Sequence, residues 1–256
     1  MVSPFAHLHV HTHLSLLDGA CRIDELMDSV QQMGMESVAM TDHGNMFAAV
    51  EFYSAARERG IRPILGLEAY LAPGSRHDRQ AAKGEKNHHL ILLARDRSGW
   101  LNLLQLSSKA FLEGFYYKPR IDKELLAAHA GGLIGMSACL NGEVNRLLRY
   151  ERYDEARAAA SFYRDVFAGD FFLELQDHGI PDEAAVNRRL IDLARETGLS
   201  LVATNDTHYL RPEHAAAHDA LLCIQTGKSR DEKDRMRFST DQMYLKSPEE
   251  MYALFP

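Results

Sequence analysis

The chain has few cysteines and none of the usual signals for export or membrane insertion. Its three cysteines, Cys21, Cys139 and Cys223, are scattered and form no Cys-x-x-Cys pair. This pattern argues against the disulfide framework of a small secreted protein. The N-terminus has no basic region followed by an apolar signal core, and no apolar run approaches the length of a transmembrane helix. We therefore expect a cytoplasmic protein with no membrane partner.

Basic charge is also scarce, because 29 lysines and arginines face 36 aspartates and glutamates, which gives a formal net charge of −7. This balance argues against a surface that coats nucleic acid. It leaves room for a local site in which metal ions supply the positive charge. A glycine-rich phosphate loop is missing after the first predicted strand, which disfavours a dinucleotide-binding fold.

Short apolar segments alternate with amphipathic segments of helical period about seven times, a pattern that predicts a parallel α/β fold. A chain of 256 residues suits one large domain of this class. The predicted strands are a histidine-rich one beginning at Phe5 and those at 37–40, 61–71, 88–94, 132–138, 170–176 and 200–205. The predicted helices are 22–33, 46–59, 98–112, 143–167, 182–196 and one beginning at 247.

Polar residues cluster where the predicted strands end. In a closed barrel the carboxyl ends of the strands form one rim that carries the chemistry. An open doubly wound sheet would also place ligands at strand ends. Since no phosphate loop accompanies the first strand, a barrel is the better prediction.

The histidine-rich segment Phe5–Gly19 carries His7, His9, His11 and His13 at alternate positions. Residues two apart in a strand point the same way, about 6.6 Å from each other, so neighbouring imidazoles can converge on one metal ion. Asp18 follows the strand and could fold back as an oxygen ligand. The alternative is an ordinary surface strand that happens to be rich in histidine.

Each further polar candidate has its own structural alternative. Asp42-His43-Gly44 could be a capped turn, Glu68 an inward charge on an edge strand, and Cys139 a small buried apolar residue. Jointly these alternatives are weak, because they give no reason why one fold should bring all of these groups to one rim. Buried charges need partners, and several metal ions would supply them.

At this point the motifs become specific. The motifs are HLHVH with a following LLDG, then TDHG, GLEAY, NHHL, SACLNGE and TNDTHYL. They resemble those of the polymerase and histidinol phosphatase (PHP) family. FYYKPRID and YLKSPEEM are similar to further stretches of the PHP domains found in bacterial replicative DNA polymerase alpha subunits. The resemblance covers essentially the whole chain.

The resemblance implies a distorted seven-stranded (β/α)7 TIM-like barrel with two to three divalent metal ions. Carried over residue by residue, it implies nine metal ligands: His9, His11, Asp18, His43, Glu68, His89, Cys139, Asp206 and His208. Glu68 and Asp206 are also the predicted catalytic residues, with Glu68 as a bridging carboxylate. Many polymerase-linked members of the family have lost ligands, whereas no ligand position is substituted in this chain.

Three further histidines are less certain in role. His88 is the alternative to His89, which we prefer because it directly precedes the apolar run of its strand. His7 is a candidate second-shell hydrogen-bond donor. His13 has no role in the family pattern.

The ligand set suits particular metals and a particular chemistry. Imidazole, carboxylate and thiolate together favour Zn²⁺, with Mn²⁺ or Fe as alternatives. Metal ions a few ångströms apart activate water, neutralise a phosphodiester and stabilise the leaving oxygen. The resemblance therefore implies a metal-dependent 3′→5′ exonuclease that acts on DNA 3′ ends, a proofreading activity.

The loop FYYKPRID predicts contacts with the substrate. Tyr116 and Tyr117 could stack on bases, and Lys118 and Arg120 could bind phosphate. An exposed loop with ordinary surface charge is an equally good interpretation of the same residues.

The domain organisation follows from the end of the chain. Ser247-Pro248-Glu249-Glu250 predicts a strong helix start, and Pro256 comes barely two turns later. We interpret the chain as a single PHP domain excised from a longer protein. The barrel would occupy about 1–227, and 228–256 would lead toward an absent polymerase core.

Two other functions compete with the exonuclease. One is a catalytically silent structural module that stabilises the remaining polymerase domains and docks a separate exonuclease subunit. The other is a phosphatase for a small monoester such as histidinol phosphate, which the polymerase-like segments FYYKPRID and YLKSPEEM disfavour.

Overall fold

The computed structural model describes residues 5–16, 18–80 and 86–256 of the chain. The strands are β1 (Ser37–Met40), β2 (Arg62–Leu71), β3 (His88–Ala94), β4 (Arg120–Ile121), β5 (Leu133–Met136), β6 (Phe171–Leu175) and β7 (Ser200–Ala203). The helices are α1 (Ile23–Gln32), α2 (Ala49–Glu58), α3 (Arg97–Leu112), α4 (Lys123–Ala128), α5 (Glu143–Arg149), α6 (Tyr153–Val166), α7 (Pro181–Thr197), α8 (Ala215–Thr226) and α9 (Pro248–Leu254). None of the helices in these ranges is long and apolar enough to cross a membrane.

The seven strands form one mixed sheet in the order β1-β2-β3-β5-β6-β7, with the short β4 beside β2. β3 runs antiparallel to both of its neighbours, β2 and β5, and the other pairs are parallel. The expectation of an entirely parallel sheet is therefore wrong at β3. A parallel return needs a crossover, usually a helix, and the described residues between β2 and β3 form no helix.

The histidine-rich segment closes the sheet into a barrel. His7 pairs in parallel with Val38 of β1, and Val10 pairs in parallel with Thr207, which follows β7. This closing segment, residues 5–13, forms isolated bridges rather than the regular strand that alternation predicts. The predicted distorted seven-stranded barrel is confirmed, with the segment spanning the gap between its edge strands.

Apolar side chains fill the inside of the barrel below the rim. Six strands contribute to this single cluster: Ala39, Ile64, Ile91, Leu93, Ile134, Met136, Phe172 and Val202. Two larger clusters lie on the outer side of the sheet, one beneath α1 and α2 and the other beneath α3 to α7. Since the interior is packed, the polar side chains that point inward are left at the carboxyl ends of the strands.

The sequence-predicted helices are largely observed, with differences at their ends and breaks. The helix predicted over 143–167 is two helices, α5 and α6, separated where Glu151 takes a left-handed backbone conformation with φ 63°. α4, α8 and β4 were not predicted. The predicted start of α9 is confirmed, because Ser247 and Glu250 form a reciprocal capping box.

The segment after residue 227 returns to the barrel. The Leu245 amide donates to the Tyr209 carbonyl at 2.9 Å, and the Leu245 side chain is buried in the outer core. The next carbonyl, that of Lys246, accepts a hydrogen bond from His7 Nε2 at 2.8 Å. Residues 243–246 therefore support the closing segment from below.

A buried carboxylate fixes the middle of the closing segment. Asp42 follows β1 and has no exposed surface. Its Oδ1 accepts the Thr12 amide at 2.7 Å, and its Oδ2 accepts the Thr12 hydroxyl at 2.7 Å. This two-point contact sets the position of His11, the neighbour of Thr12.

We expect Thr12→Val to keep the shape of this contact but to remove the hydroxyl, which donates to Asp42 and accepts from the Leu14 amide at 3.1 Å. The free energy of unfolding should fall by about 2 kcal/mol, because a hydrogen bond to a charged group contributes roughly 1.5–3 kcal/mol. Urea denaturation near neutral pH measures the loss. Thr226→Val is the matched control, since the Thr226 hydroxyl only returns to a carbonyl of its own helix. Equal stability of the two variants would contradict the anchoring role of Asp42.

Candidate metal centre

The structure brings all nine predicted ligands to the rim of the barrel. They come from the closing segment (His9, His11), the turn after it (Asp18), the loop after β1 (His43), β2 (Glu68), the start of β3 (His89), the loop after β5 (Cys139) and the loop after β7 (Asp206, His208). Because β3 is antiparallel, its first residues lie at the same rim as the last residues of its neighbours. His89 is accordingly paired with Tyr70 near the end of β2.

Glu68 is the centre of the cluster. Its carboxylate is buried, and both oxygens approach imidazole nitrogens. Oε2 lies 3.0 Å from His11 Nε2, 3.0 Å from His43 Nδ1 and 3.3 Å from His9 Nε2. Oε1 lies 2.7 Å from His89 Nδ1. One carboxylate therefore joins four imidazoles from three segments that are distant in sequence.

Asp206 is a second junction, which approaches the same Nε2 atoms of His9 and His11 as Glu68 does. Its Oδ1 lies 3.1 Å from His9 Nε2, 3.3 Å from His11 Nε2 and 3.1 Å from His208 Nε2. The backbone of Asp206 is left-handed, with φ 50°. This conformation is uncommon outside glycine and is maintained only where surrounding contacts impose it.

Asp18 joins the outer histidines. Its Oδ2 lies 3.3 Å from His43 Nε2, and its Oδ1 lies 3.6 Å from His208 Nδ1. The Asp18 carbonyl accepts a hydrogen bond from His218 Nε2 at 2.7 Å. His218, on α8, has no counterpart among the predicted site residues, and no sequence signal distinguishes it.

Cys139 lies at the edge of the cluster, with its Sγ 3.8 Å from His89 Nδ1. It follows Ala138, another residue with left-handed backbone, φ 60°. Burial, together with the nearby Asp206 and Glu68 carboxylates, raises the pKa of the thiol well above its ordinary value. The thiol is therefore protonated until a cation binds beside it.

The charges of the cluster stabilise one another. Burial alone would lower the pKa of His9, but Asp206, Glu174 and Glu68 together raise it well above 6.5. The pKa of His43 is raised for the same reason, with Asp18 as its main anionic neighbour. The pKa of Glu68 is held well below its usual value by the surrounding imidazoles, in spite of burial. Without a metal ion, the raised pKa values of His9 and His43 and the lowered pKa of Glu68 favour imidazolium groups beside a carboxylate.

The arrangement also fits divalent metal ions. Four buried atoms of the cluster have no hydrogen-bond partner, although each lies close to an oppositely charged group: His11 Nε2, Asp18 Oδ1, His43 Nδ1 and Asp206 Oδ1. Close approach without hydrogen-bond geometry is expected of donors that surround a common ion. Three overlapping triads have their donor atoms within 4.8 Å of one another: His9–His11–Asp206, His11–His43–His208 and His43–Glu68–His89. These residues can hold divalent ions.

A polar layer beneath the cluster was not predicted from the sequence. Glu174 of β6 accepts from His9 Nδ1 at 2.7 Å, and Gln176 Nε2 donates to the same Glu174 oxygen at 3.0 Å. The Thr204 hydroxyl also donates to Glu174. A carboxylate behind an imidazole fixes its tautomer and ring orientation. The available signal was a glutamate embedded in the apolar segment FFLEL, similar to Glu68 in GLEAY.

The other histidines of the closing segment and of the NHHL motif lie outside the cluster. His7 bonds to the Lys246 carbonyl rather than to a cluster residue, so its predicted second-shell role is not observed. Burial lowers the pKa of His7 to about 4. His13 is exposed. The structure brings His89, and not His88, to Glu68.

The aromatic and basic loop borders the cluster. A rim cavity of about 340 Å³ is lined by Tyr116, Tyr117 and Lys118 on one side and by Tyr70 and His89 on the other. Lys118 Nζ lies 5.6 Å from the centre of the Tyr70 ring. All four predicted substrate-binding residues, Arg120 included, therefore line the cavity beside His89.

The fourth, Arg120, does not have a free guanidinium. Its side chain is buried; Nε donates to the Gly114 carbonyl, and Nη2 donates to the carbonyls of Arg76 and Asp78, at 2.7–2.9 Å. Nε and Nη2 are therefore already paired with backbone carbonyls, and phosphate binding by Arg120 stays a prediction. Arg120 belongs to β4, which pairs with the end of β2, and its guanidinium holds the neighbouring loops together.

The fold and the cluster define a barrel protein with a multi-histidine site at the carboxyl rim, and comparison places it in a family. The chain belongs to the PHP domain family, whose model matches residues 7–178. It is 49% identical to the DNA polymerase III subunit alpha of Thermus aquaticus and 48% identical to that of Saccharopolyspora erythraea, in each case over 98% of this chain. The chain spans about a fifth of the length of these relatives, 21% and 23%.

One solved structure is more distant. A two-domain protein from Bacteroides vulgatus, described as containing a predicted PHP-like metal-dependent phosphoesterase, is 14% identical and overlays with a TM-score of 0.44. The overlay covers 96% of this chain and 61% of that one. An overlay this loose carries no argument about function.

The pKa shifts predict opposite pH dependences for the metal-free and metal-loaded domain. The pKa values of His9 and His43 are raised in the folded state, so these two groups stabilise it fully below pH 6.5. This stabilisation is lost as the pH rises through their folded-state pKa values. The pKa values of Asp206 and Glu68 are lowered in the folded state, so these carboxylates stabilise it above their ordinary pKa values, 3.8 and 4.5. This stabilisation is lost as the pH falls through their folded-state pKa values.

In EDTA we therefore expect maximal thermal stability between pH 4.5 and 6.5, the ordinary pKa values of Glu68 and His9, and a falling melting temperature above that window. With Zn²⁺ or Mn²⁺ the gain in melting temperature should increase with pH, because metal ions bind deprotonated ligands. Melting curves with and without metal across this range test both trends. A metal-induced gain that is independent of pH would contradict the assignment of these groups.

Proposed function

We propose that the domain is a metal-dependent phosphodiesterase that removes nucleotides from DNA 3′ ends. The observation that carries the proposal is the contact of one buried carboxylate, Glu68, with four imidazoles at a rim that opens into a cavity. A buried charge network of this density is costly in a module that only has to fold. Next to an open cavity, it is suited to binding and hydrolysing an anionic ester.

The nine rim residues would hold two to three divalent ions. Zn²⁺ suits the combination of imidazoles with Cys139, and Mn²⁺ or Fe would compete because most of the other donors are oxygen and nitrogen. Bound ions would supply Lewis acidity toward the phosphodiester and lower the pKa of water. Glu68 and Asp206, which contact the most histidines, are the proposed bridging and catalytic carboxylates.

Glu174 prepares His9 for this role. Because the Glu174 carboxylate accepts from Nδ1, the proton of a neutral His9 is held on that nitrogen. The lone pair of Nε2 is then directed to the side where Glu68 and Asp206 lie. Glu174 is therefore a positioning residue that acts through His9.

The rim cavity would receive the terminal nucleotide. Burial raises the pKa of Tyr70 to about 12, so its phenol stays protonated and can donate to a phosphate oxygen. Lys118 is half-buried, and burial lowers its pKa. A bound anion beside Lys118 would raise this pKa again and stabilise the charged ammonium group. Tyr117 is 81% exposed and meets Tyr116 edge to face, which leaves one ring surface for a base.

The relatives supply a context for this activity. Since they are named as DNA polymerase III alpha subunits, we propose that the domain works in the cytoplasm beside the remaining polymerase domains. Those domains would deliver the primer end, because a chain of net charge −7 has no broad basic surface of its own. Removal of a mismatched 3′ nucleotide would then be proofreading.

We expect His9→Ala and Asp206→Asn each to abolish hydrolysis of a labelled oligonucleotide and to lower the number of bound metal ions. Each removes a donor that contacts several others, so the geometry of more than one ion is lost. Activity and metal content, the latter by elemental analysis, are measured on the same preparations. His13→Ala is the control, because His13 lies in the same segment but is exposed. Wild-type activity in Asp206→Asn would place the hydrolysis elsewhere.

The direction of cleavage is a separate expectation. Oligonucleotides with a free 3′ end should be shortened stepwise, whereas those with a blocked 3′ end should persist. Single strands should be preferred to duplexes, because the rim cavity is small, about 340 Å³. The products are resolved by electrophoresis of 5′-labelled strands. Cleavage of blocked strands at the same rate would refute an exonuclease. A metal-loaded domain with no cleavage of either substrate would favour a silent module that docks a separate exonuclease subunit.

A further inference from the structure

A second cavity lies beside the metal centre on the outer side of the barrel. Its volume is about 620 Å³, within the range of sites that bind small molecules. We call it the basic groove, and the bordering residues that matter here are Lys86, His88, Lys123, Arg146, Tyr150 and Arg152.

The basic groove is adjacent to the rim cavity. His88 and His89 are consecutive residues of β3, and consecutive side chains of a strand project to opposite faces. His89 therefore faces the metal centre, and His88 lines the basic groove. Lys86 borders both cavities, so a ligand that leaves the rim cavity past Lys86 enters the basic groove.

Two cations of the basic groove have no anionic partner among the residues that the structure describes. Lys123 pairs with Glu143 at 2.7 Å, and Arg152 pairs with Glu155. For Lys86 and Arg146, by contrast, no carboxylate lies within ion-pair distance in the described part of the chain. Arg146 Nη1 makes only a 3.3 Å contact with the Lys86 carbonyl. In a chain of net charge −7, two unpaired cations next to a candidate phosphodiesterase site indicate an anion-binding surface.

The basic groove also offers an aromatic surface. Tyr150, between α5 and α6, is 60% exposed. Bases of single strands stack on such rings whatever their sequence, while neighbouring cations follow the phosphates. The combination of unpaired cations and one open ring is typical of a single-strand path.

We propose that the basic groove binds the phosphodiester backbone of the strand whose 3′ end lies at the metal centre. The strand would pass from the rim cavity over Lys86 to Arg146 and Tyr150. This inference rests on the proposed exonuclease function and assigns the substrate contacts behind the terminal nucleotide. A free nucleotide presents the same phosphate chemistry, and the experiment separates the two sources.

The test compares Lys86→Gln/Arg146→Gln with the control Arg62→Gln/Lys233→Gln, whose two cations are exposed and lie outside both cavities. Fluorescence polarisation measures binding of 5′-fluorescein oligothymidylates that range from a dinucleotide to a strand of about 16 nucleotides, the longest site of a single-strand binding module. The protein is kept in EDTA so that the strands stay intact. For the longest strand, loss of two phosphate contacts should reduce the slope of log affinity against log salt by about 1.4. The control variant should bind every strand with the salt dependence of the wild type.

A separate readout follows the metal centre. The p-nitrophenyl ester of thymidine 5′-phosphate needs only the rim cavity, so its metal-dependent hydrolysis should be equal in the wild type and in Arg146→Gln, since Arg146 lies outside that cavity. Absence of this hydrolysis in the wild type would refute the proposed function, whereas the salt slopes would still decide on the basic groove.

Two results would overturn the strand path itself. One is an unchanged salt slope for the longest oligothymidylate in Lys86→Gln/Arg146→Gln. The other is binding that does not depend on strand length and is displaced fully by thymidine monophosphate, which would indicate a nucleotide site instead.

Discussion

The structure depends on the burial of Glu68 among imidazoles. A carboxylate removed from water costs several kcal/mol unless opposite charges and hydrogen bonds compensate for it. Four histidines surround this one, and they come from the closing segment, the loop after β1 and the start of β3. The chain has to bring distant segments to one point, and the irregular features of the barrel do this. Bridges replace a regular first strand, one strand is reversed, and two non-glycine residues beside the site have left-handed backbone.

The rim residues could be found from the sequence because their signals are local. His9 and His11 alternate along one segment, His43 ends a short apolar strand, and Glu68 interrupts an apolar one. Such patterns record which side chains share a face or a strand end. They do not record the direction of a strand, and β3 is reversed because the described residues before it form no helical crossover. Glu174 gives the same signal as Glu68, and only its contact with His9 distinguishes its role.

Arg120 shows a different limit of sequence analysis. A lysine and an arginine in an aromatic loop predict phosphate binding equally well, and the sequence FYYKPRID does not indicate which of the two side chains is bonded to the backbone. Both residues line the rim cavity, but β4 pairs with β2 and the Arg120 guanidinium donates to backbone carbonyls. The Nζ atom of Lys118, two residues earlier, lies 5.6 Å from the centre of the Tyr70 ring instead. A two-residue strand is too short to have a hydrophobic period, so no pattern in the sequence could predict this partition.

The reversed β3 has a consequence for how the two faces of the barrel are linked. Its alignment is fixed on both sides, by the pairing of Ile91 with Glu68 and with Met136. A slip of one residue would turn His88 inward and His89 outward, and would move Ile91 out of the barrel interior. The apolar contacts of Ile91 therefore hold the imidazole at the metal centre and the wall of the basic groove in one register. Substitution of Ile91 would therefore change both faces together, although the Ile91 side chain itself lies in the apolar interior of the barrel.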